Sequence, residues 1–341
     1  MCIRDRYIGR PNLGENLLAT PCMELLAKEY EITLLVPERS IPVFKDYTFI
    51  TNILISKDTA KLNKLPAATI NEIEKIFTGT DCYYIWHHDD DINFLPANPE
   101  LHFIKPYPVL HDKDVNKNVS RTRKYMQKLQ LMTLEQCNNF DCTVRAPGYT
   151  QTETNNKVIV YQGSRDFLRC LPIQTIQKFT EQAPDAIYLV TQKTVTELKL
   201  KERNIEFIVT DPFVDENLYK VVKLFQSKPK VIIGPDAGLT QLATAYKVPL
   251  VWLQSRIRIE AIIDYQYKDV QVYRRKELTC KQDCFGYVAD REYGTNILSY
   301  TPFKTSGHTN FKDLLCRKNI TPSCLTYTSQ EITSILSLVK S

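Results

Sequence analysis

The chain has 341 residues, 43% hydrophobic and 24% charged, with a formal net charge of +5 and ten cysteines. That length suits two ordinary α/β domains, each with its own core, and the composition excludes a disordered or collagen-like chain. No apolar run approaches the roughly 20 residues of a membrane span, Met1 to Arg6 ("MCIRDR") lacks the apolar stretch of a secretory signal, and no Lys/Arg cluster with interleaved aromatics points to nucleic acid.

Ten cysteines in a long chain without a signal do not read as a disulfide scaffold, so a reducing cytoplasm is expected. The small basic excess suits contact with phosphates or an anionic membrane surface. A solvated lysine-rich surface explains it as well and is the preferred reading.

In chain order, "NLGENLLATPCMELL" predicts a helix, with Leu18, Cys22, Leu25 and Leu26 at helical spacing after Asn12 and Gly14. "EITLLV" then reads as a buried parallel strand. A first strand belongs before Asn12, where "MCIRDRYIGRP" is a poor one, so that strand is expected to be truncated or replaced. "YTFITNILIS" is a further strand, "PAATINEIEKIFTG" a helix, "DCYYIW" a strand, and residues 112–136 are charged and helical in pattern. "APGYTQTETNNK", residues 146–157, is the best linker in the chain. It separates an N-terminal domain, 1–150, from a second domain, 151–326, followed by a C-terminal helix, 327–341.

After the linker, strands and helices alternate strictly. "KVIVYQG", "AIYLVT", "IEFIVT", "KVIIG" and "VPLVWL" are strands, with "PIQTIQKFTEQ", "TVTELKLKER", "DENLYKVVKLFQS" and "LTQLATAYK" as the helices between them. Such alternation predicts a parallel sheet covered by helices. In the last segment, Thr328 and Glu331 form a capping box, and Ile332, Ile335, Leu336 and Val339 form an apolar face.

Ligands of open parallel sheets bind beyond the carboxyl ends of the strands. The turn after "VIIG" is such a place. Gly234 and Gly238 let the backbone approach a ligand, and the following helix offers unpaired N–H groups and a positive dipole end, which favours a phosphate or diphosphate. Thr240 is expected to add a hydroxyl donor, and Leu239, Leu242, Ala243 and Tyr246 to mark the buried side. Asp236 has two readings: a turn or N-cap carboxylate, or a carboxylate that hydrogen-bonds sugar hydroxyls beside the diphosphate.

"GPDAGLTQLATAYKVPLVWL" resembles the donor-site signature of glycosyltransferase family 9, the heptosyltransferase-like enzymes, approximately Asp-Ser/Thr-Gly-Leu-x-His-Leu-Ala-Ala-Ala-x-x-x-Pro-x-Val. "NLGENLLATPCMELL" is similar to that family's Gly-Asp-x-Leu-x-x-Thr-Pro motif. "VIVYQGSRDFLRCLP" is similar to the strand, glycine and basic-x-Trp-Pro segment that opens its second domain, and "CLTYTSQEITSIL" to its ending. The matches run in order from Asn12 to Leu336.

The resemblance implies a GT-B type α/β fold, two Rossmann-like domains with parallel sheets facing across a cleft. It implies an inverting, metal-independent transfer of heptose or a similar sugar from an ADP-sugar or other nucleotide-diphosphate sugar to a glycan or lipid-linked, lipopolysaccharide-type acceptor. No cofactor is required, and the enzyme is expected in the cytoplasm, in peripheral contact with the inner membrane surface. By the same resemblance Glu15, where the family usually has aspartate, is the catalytic base. Arg169 and Arg165 meet the diphosphate, and Asp236, Gly238, Leu239, Thr240 and Gln241 complete the donor site. Gln241 replaces the family's histidine and cannot become cationic.

Two weaker signals remain. "HHDDD", residues 87–91, alternates direction along a strand end and is read as a polar rim rather than a metal site. Cys280, Cys284, Cys316 and Cys324 could form a structural four-thiolate zinc or iron site; plain thiols are preferred. The competing functions are a nucleotide-sugar epimerase on the same fold, for which no additional catalytic acids are found, and a non-catalytic nucleotide-sugar or glycan binding relative.

Overall fold

The computed structural model describes residues 6–7, 13–56, 82–85, 101–104, 122–123, 136, 139–147, 155–163, 169–211, 215–254, 259, 263–264, 266–275 and 323–339. The chain divides into two compact units, Met1–Tyr149 and Thr150–Ser341.

The first unit contains β1 (Arg6–Tyr7), α1 (Leu13–Leu26), β2 (Glu31–Pro37), a 3-10 turn (Glu38–Ser40), α2 (Ile41–Phe44) and β3 (Ile50–Ser56). It also contains β4 (Cys82–Ile85) and β5 (Leu101–Ile104). The weak first strand is present as two residues that pair parallel with β2, Arg6 opposite Glu31 and Tyr7 opposite Ile32. Strands β1, β2 and β3 form one parallel sheet in that order, and β4 and β5 form a two-stranded parallel sheet. β5 has no counterpart among the predicted strands. The predicted helix at 66–79, the "HHDDD" segment and most of 112–136 lie outside the described residues.

α1 carries Pro21 in its interior. Proline has no N–H to give the carbonyl one turn back. The Thr20 hydroxyl donates to the Leu17 carbonyl instead, at 2.7 Å, so that acceptor is satisfied in a buried helix. Thr122 ties a distant segment to the same helix through its hydroxyl, which donates to the Leu18 carbonyl at 2.8 Å.

The second unit contains β6 (Val158–Tyr161), α3 (Ile173–Gln182), β7 (Ile187–Thr191), α4 (Gln192–Glu197), β8 (Phe207–Asp211) and α5 (Asp215–Gln226). It continues with β9 (Val231–Gly234), α6 (Gly238–Ala245), β10 (Leu250–Leu253), β11 (Val270–Tyr273) and α7 (Ser329–Ser337). All its strands are parallel, in the order β11-β10-β9-β6-β7-β8. This is the doubly wound dinucleotide-binding order: the chain starts at β6, runs to one edge through β7 and β8, then crosses back to β9 and runs to the other. β11 adds an edge strand beyond those predicted.

The core forms because β6, β7, β9 and β10 are apolar on both faces, as the middle strands of a parallel sheet must be. Val160, Tyr188, Val190, Ile233, Val251 and Leu253 pack with Ile176 and Phe179 of α3 and with Ile332 and Ile335 of α7. On α5, Leu218, Val221, Val222 and Phe225 are buried, and the Phe225 ring lies 6.3 Å from that of Tyr246 at the end of α6. The C-terminal segment is anchored on α3: the Thr175 hydroxyl donates to the Leu325 carbonyl at 3.0 Å, and Lys178 Nζ to the Tyr327 carbonyl at 2.6 Å. The Thr328–Glu331 capping box closes at both ends, with Glu331 N–H donating to Thr328 Oγ1 at 3.2 Å and Thr328 N–H to Glu331 Oε2 at 2.7 Å.

Candidate functional site

The direction of the winding changes between β6 and β9, which pair directly, Val160 opposite Ile233. At such a switch point the loops from adjacent strands leave toward opposite edges and open a crevice at the strand ends. Two segments meet there: the turn after β6, with Gln162 and Gly163, and the turn after β9, with Pro235 and Asp236.

The chain after β6 folds back on itself. Gly163 and Cys170 form an antiparallel bridge, and the Leu171 N–H donates to the Gln162 carbonyl at 2.6 Å. Gly163 sits at φ +121°, and a Cβ there would lie 2.2 Å from the Arg169 carbonyl oxygen and 2.9 Å from Pro235 Cγ. Only glycine fits, because both turns of the site press on this position.

Gln162 holds the fold-back from below. Its buried Oε1 accepts from the Thr191 N–H at 3.0 Å and the Thr194 hydroxyl at 2.9 Å, while its Nε2 donates to the Leu171 carbonyl at 3.2 Å. One amide thus joins the ends of β6 and β7, the first turn of α4 and the strand that carries Arg169. Sequence reasoning missed Gln162. The available signal was a polar amide directly after a fully apolar strand, in "VIVYQG".

The fold-back brings Arg169 to the β9 turn. Arg169 Nη1 lies 3.0 Å from Asp236 Oδ2, with the arginine side chain 27% exposed and the aspartate side chain fully buried. Gln241 Nε2 donates to the other carboxylate oxygen at 3.4 Å. The Oε1 of this nearly buried amide has no hydrogen-bond partner among the described residues. Arg169, Asp236 and Gln241, separate in the sequence, are therefore one polar chain at the mouth of α6.

Asp236 does not act as a cap. The N-cap of α6 is Ala237, in an extended conformation. The capping is done by Thr240, whose buried hydroxyl accepts from the Ala237 N–H at 3.1 Å and lies 2.6 Å from the Ala237 carbonyl and 3.1 Å from the Pro235 carbonyl. The structure thus turns Thr240 inward, where the sequence reading had its hydroxyl facing a ligand. The reason is that α6 is buried nearly all round, so its polar residues do not mark an outer face. Leu239 is buried as well, and Gly238, at the first helical position, is partly exposed.

Beside this chain lies Tyr161. Burial pushes its phenol above the ordinary value of 10.0; Cys170 and Asp236 push the same way and Arg169 opposes them, so the ring is a neutral wall. Gly234 lets the turn pass close to it, since a Cβ there would lie 3.1 Å from Tyr161 Cβ and 3.2 Å from Thr240 Cγ2.

The first amide groups of a helix have no acceptor one turn back. With Arg169 held at the same end of α6, the arrangement can bind an oxyanion, a phosphate or diphosphate above all. Glu15 lies in the first turn of α1, in the other unit, and only its backbone is described. Arg165, Cys280, Cys284 and Cys316 lie outside the described residues; Cys324 is partly buried in the 3-10 turn Ser323–Leu325. No group of His, Cys, Asp and Glu with metal-site geometry occurs among the described residues.

No protein-family model matches the sequence, and neither does any curated protein. Solved structures do match. A glycosyl transferase family 9 protein from Veillonella parvula DSM 2008 aligns over 99% of this chain and 98% of its own, with a TM-score of 0.58 and 12% identity. E. coli ADP-heptose LPS heptosyltransferase II aligns over 99% of this chain and 100% of its own, with a TM-score of 0.55 and 12% identity. The dodecameric iron-containing heptosyltransferase TibC, from enterotoxigenic E. coli H10407, was solved in complex with ADP-D-beta-D-heptose. It aligns over 100% of this chain and 77% of its own, with a TM-score of 0.54 and 12% identity. At these identities the likeness is one of fold, and the chain has the GT-B type α/β fold of the glycosyltransferase family 9 heptosyltransferases.

Proposed function

We propose that this protein is an inverting glycosyltransferase that moves heptose or a similar sugar from a nucleotide-diphosphate sugar, with ADP as the nucleotide, to a glycan or lipopolysaccharide-type acceptor. The observation that carries the reading is the Arg169 guanidinium, fixed by Asp236 at the N-terminal mouth of α6 and at the switch point of a doubly wound sheet.

In the reaction, the Glu15 carboxylate takes the proton of the acceptor hydroxyl as its oxygen attacks the anomeric carbon. The bond from that carbon to the diphosphate oxygen breaks, and its electron pair leaves with the diphosphate. Arg169 and the amide end of α6 stabilise the charge that develops there, which is the task a divalent ion performs elsewhere, so transfer proceeds without one. Arg165 shares the diphosphate. A lipid-linked acceptor would bring the enzyme to the cytoplasmic face of the membrane; no described helix is long and apolar enough to cross it.

Gln241 also favours a second reading, a nucleotide-sugar binding protein without catalysis, because its amide cannot supply a positive charge to the leaving group. Loss of transfer in Glu15→Gln separates the two.

The test is thermal unfolding with ADP, UDP, GDP and CMP at millimolar concentration. A ligand at 100 times its dissociation constant stabilises by about 2.7 kcal/mol. The expected result is a shift of several degrees with ADP, kept in EDTA and lost in Arg169→Ala. Selectivity for another nucleotide would change the donor, and no shift with any of them would overturn the reading.

A further inference from the structure

We propose that Asp236 is a positioning residue: it aims the Arg169 guanidinium at the ligand and does not touch the sugar nucleotide itself. The inference takes its ligand from the function proposed above and its geometry from the turn after β9.

The Asp236 side chain has no exposed surface, and both carboxylate oxygens are engaged, Oδ2 with Arg169 Nη1 and Oδ1 with Gln241 Nε2. The backbone on either side is clamped. The Thr240 hydroxyl accepts from the Ala237 N–H and lies within hydrogen-bond distance of the Pro235 and Ala237 carbonyls, and Pro235 is packed against Gly163. Because the carboxylate is enclosed, a sugar hydroxyl could reach it only if the turn opened or one of its two side-chain partners moved aside.

Exposure is lowest in the middle of this chain and highest at Arg169. Asp236 is fully enclosed, Gln241 is 6% exposed, and the Arg169 side chain is 27% exposed. Arg169 is therefore the member that meets solvent and ligand. By accepting from one guanidinium nitrogen at 3.0 Å, the carboxylate holds the charged head of Arg169 at the mouth of α6 and limits where its other N–H groups can reach. Because the carboxylate also offsets part of the arginine's charge, Asp236 contributes direction rather than attraction, and α6 contributes the remaining pull on the anion.

Titration calorimetry with ADP and with ADP-glucose tests the assignment. Asp236→Asn, isosteric with the native residue, is expected to lose about tenfold in affinity for ADP and the same factor for ADP-glucose. Arg169→Ala is expected to lose at least as much, and the double variant to bind no more weakly than Arg169→Ala alone. Gln241→Met should show the same pattern with about a threefold loss, which covers the case in which Asp236→Asn does not fold. A loss confined to ADP-glucose, or losses that add in the double variant, would mean that Asp236 contacts the sugar and would overturn the proposal.

A ligand-free arm separates this proposal from the functional reading. Phenylglyoxal labelling of Arg169, followed by peptide mass spectrometry, should run several-fold faster in Asp236→Asn than in the native protein, and an unchanged rate overturns the positioning role. If the native protein binds neither nucleotide while labelling accelerates, the sugar-nucleotide function falls and the aiming of Arg169 by Asp236 stands.

Discussion

Arg169 Nη1 and Asp236 Oδ2 meet at 3.0 Å across 67 residues of sequence, joining the turns that follow β6 and β9. The two partners differ in what each could do alone. Asp236 is fully enclosed, whereas Arg169 keeps about a quarter of its side chain in contact with solvent. Arg169→Ala therefore removes the charged partner of an enclosed carboxylate and should cost about 3–5 kcal/mol. Asp236→Asn leaves an arginine that can turn outward and should cost only about 1–2 kcal/mol. Urea unfolding of the two variants checks the order, and equal costs would contradict it.

Gly163 ties the same two turns together sterically. Its positive φ and the approach of the Arg169 carbonyl, Cys170 and Pro235 leave no volume for a methyl group. Gly163→Ala should cost at least about 2 kcal/mol and should also weaken ADP binding, because relieving the clash moves the Arg169 strand away from Asp236. A variant destabilised to this extent that binds ADP normally would show that the fold-back does not set the site.

How far the sequence carries can be judged residue by residue. The strands from β6 to β10 were legible because buried parallel strands are unbroken apolar runs between helical patterns. β11 was not: "VQVY" alternates, sits at a sheet edge and exposes Val272, so it lacks that signature. The two-residue β1 is too short to stand out, and in β5, "LHFI", a histidine interrupts the apolar run that marks the buried strands. The turn before α6 was legible from its glycines, but the roles within it were not. Which way Thr240 faces depends on a helix buried on all sides. The chain through Arg169, Asp236 and Gln241 exists only because β6 and β9 are neighbours, which no local pattern states. Gln162 needs the ends of two strands and a helix to have a purpose.

Thr240 gives the turn its shape, and its hydroxyl is the part that matters. In Thr240→Val the volume is kept, but the Ala237 N–H loses its acceptor in a buried turn, at a cost of about 1–2 kcal/mol. Thr240→Ser keeps the hydroxyl and gives up one methyl group, so it should cost about 1 kcal/mol or less. Thermal unfolding of the pair distinguishes them. If serine is as damaging as valine, packing against Gly234 decides the position rather than the cap.

Glu331, in the first turn of α7, provides a pH-dependent contribution. Burial raises its carboxyl, but the hydrogen bond from the Thr328 N–H and those from Arg275 and the Thr328 side chain outweigh it, so its pKa lies below the ordinary 4.5. Arg275 Nε is 2.7 Å from Glu331 Oε1, with the two side chains 18% and 21% exposed. A carboxyl whose folded value is depressed stabilises the native state fully above the unfolded value, and that stabilisation disappears as the pH falls through the folded one. Glu331→Gln keeps an oxygen for the Thr328 cap but loses the charged partner of Arg275, so it should cost about 1 kcal/mol near pH 7. The native protein should lose stability relative to this variant as the pH drops below about 4.5, until the two converge once Glu331 is protonated in both states. Parallel unfolding curves between pH 3 and 7 measure the difference directly, and a gap that stays constant across that range would exclude the Arg275–Glu331 pair as its source.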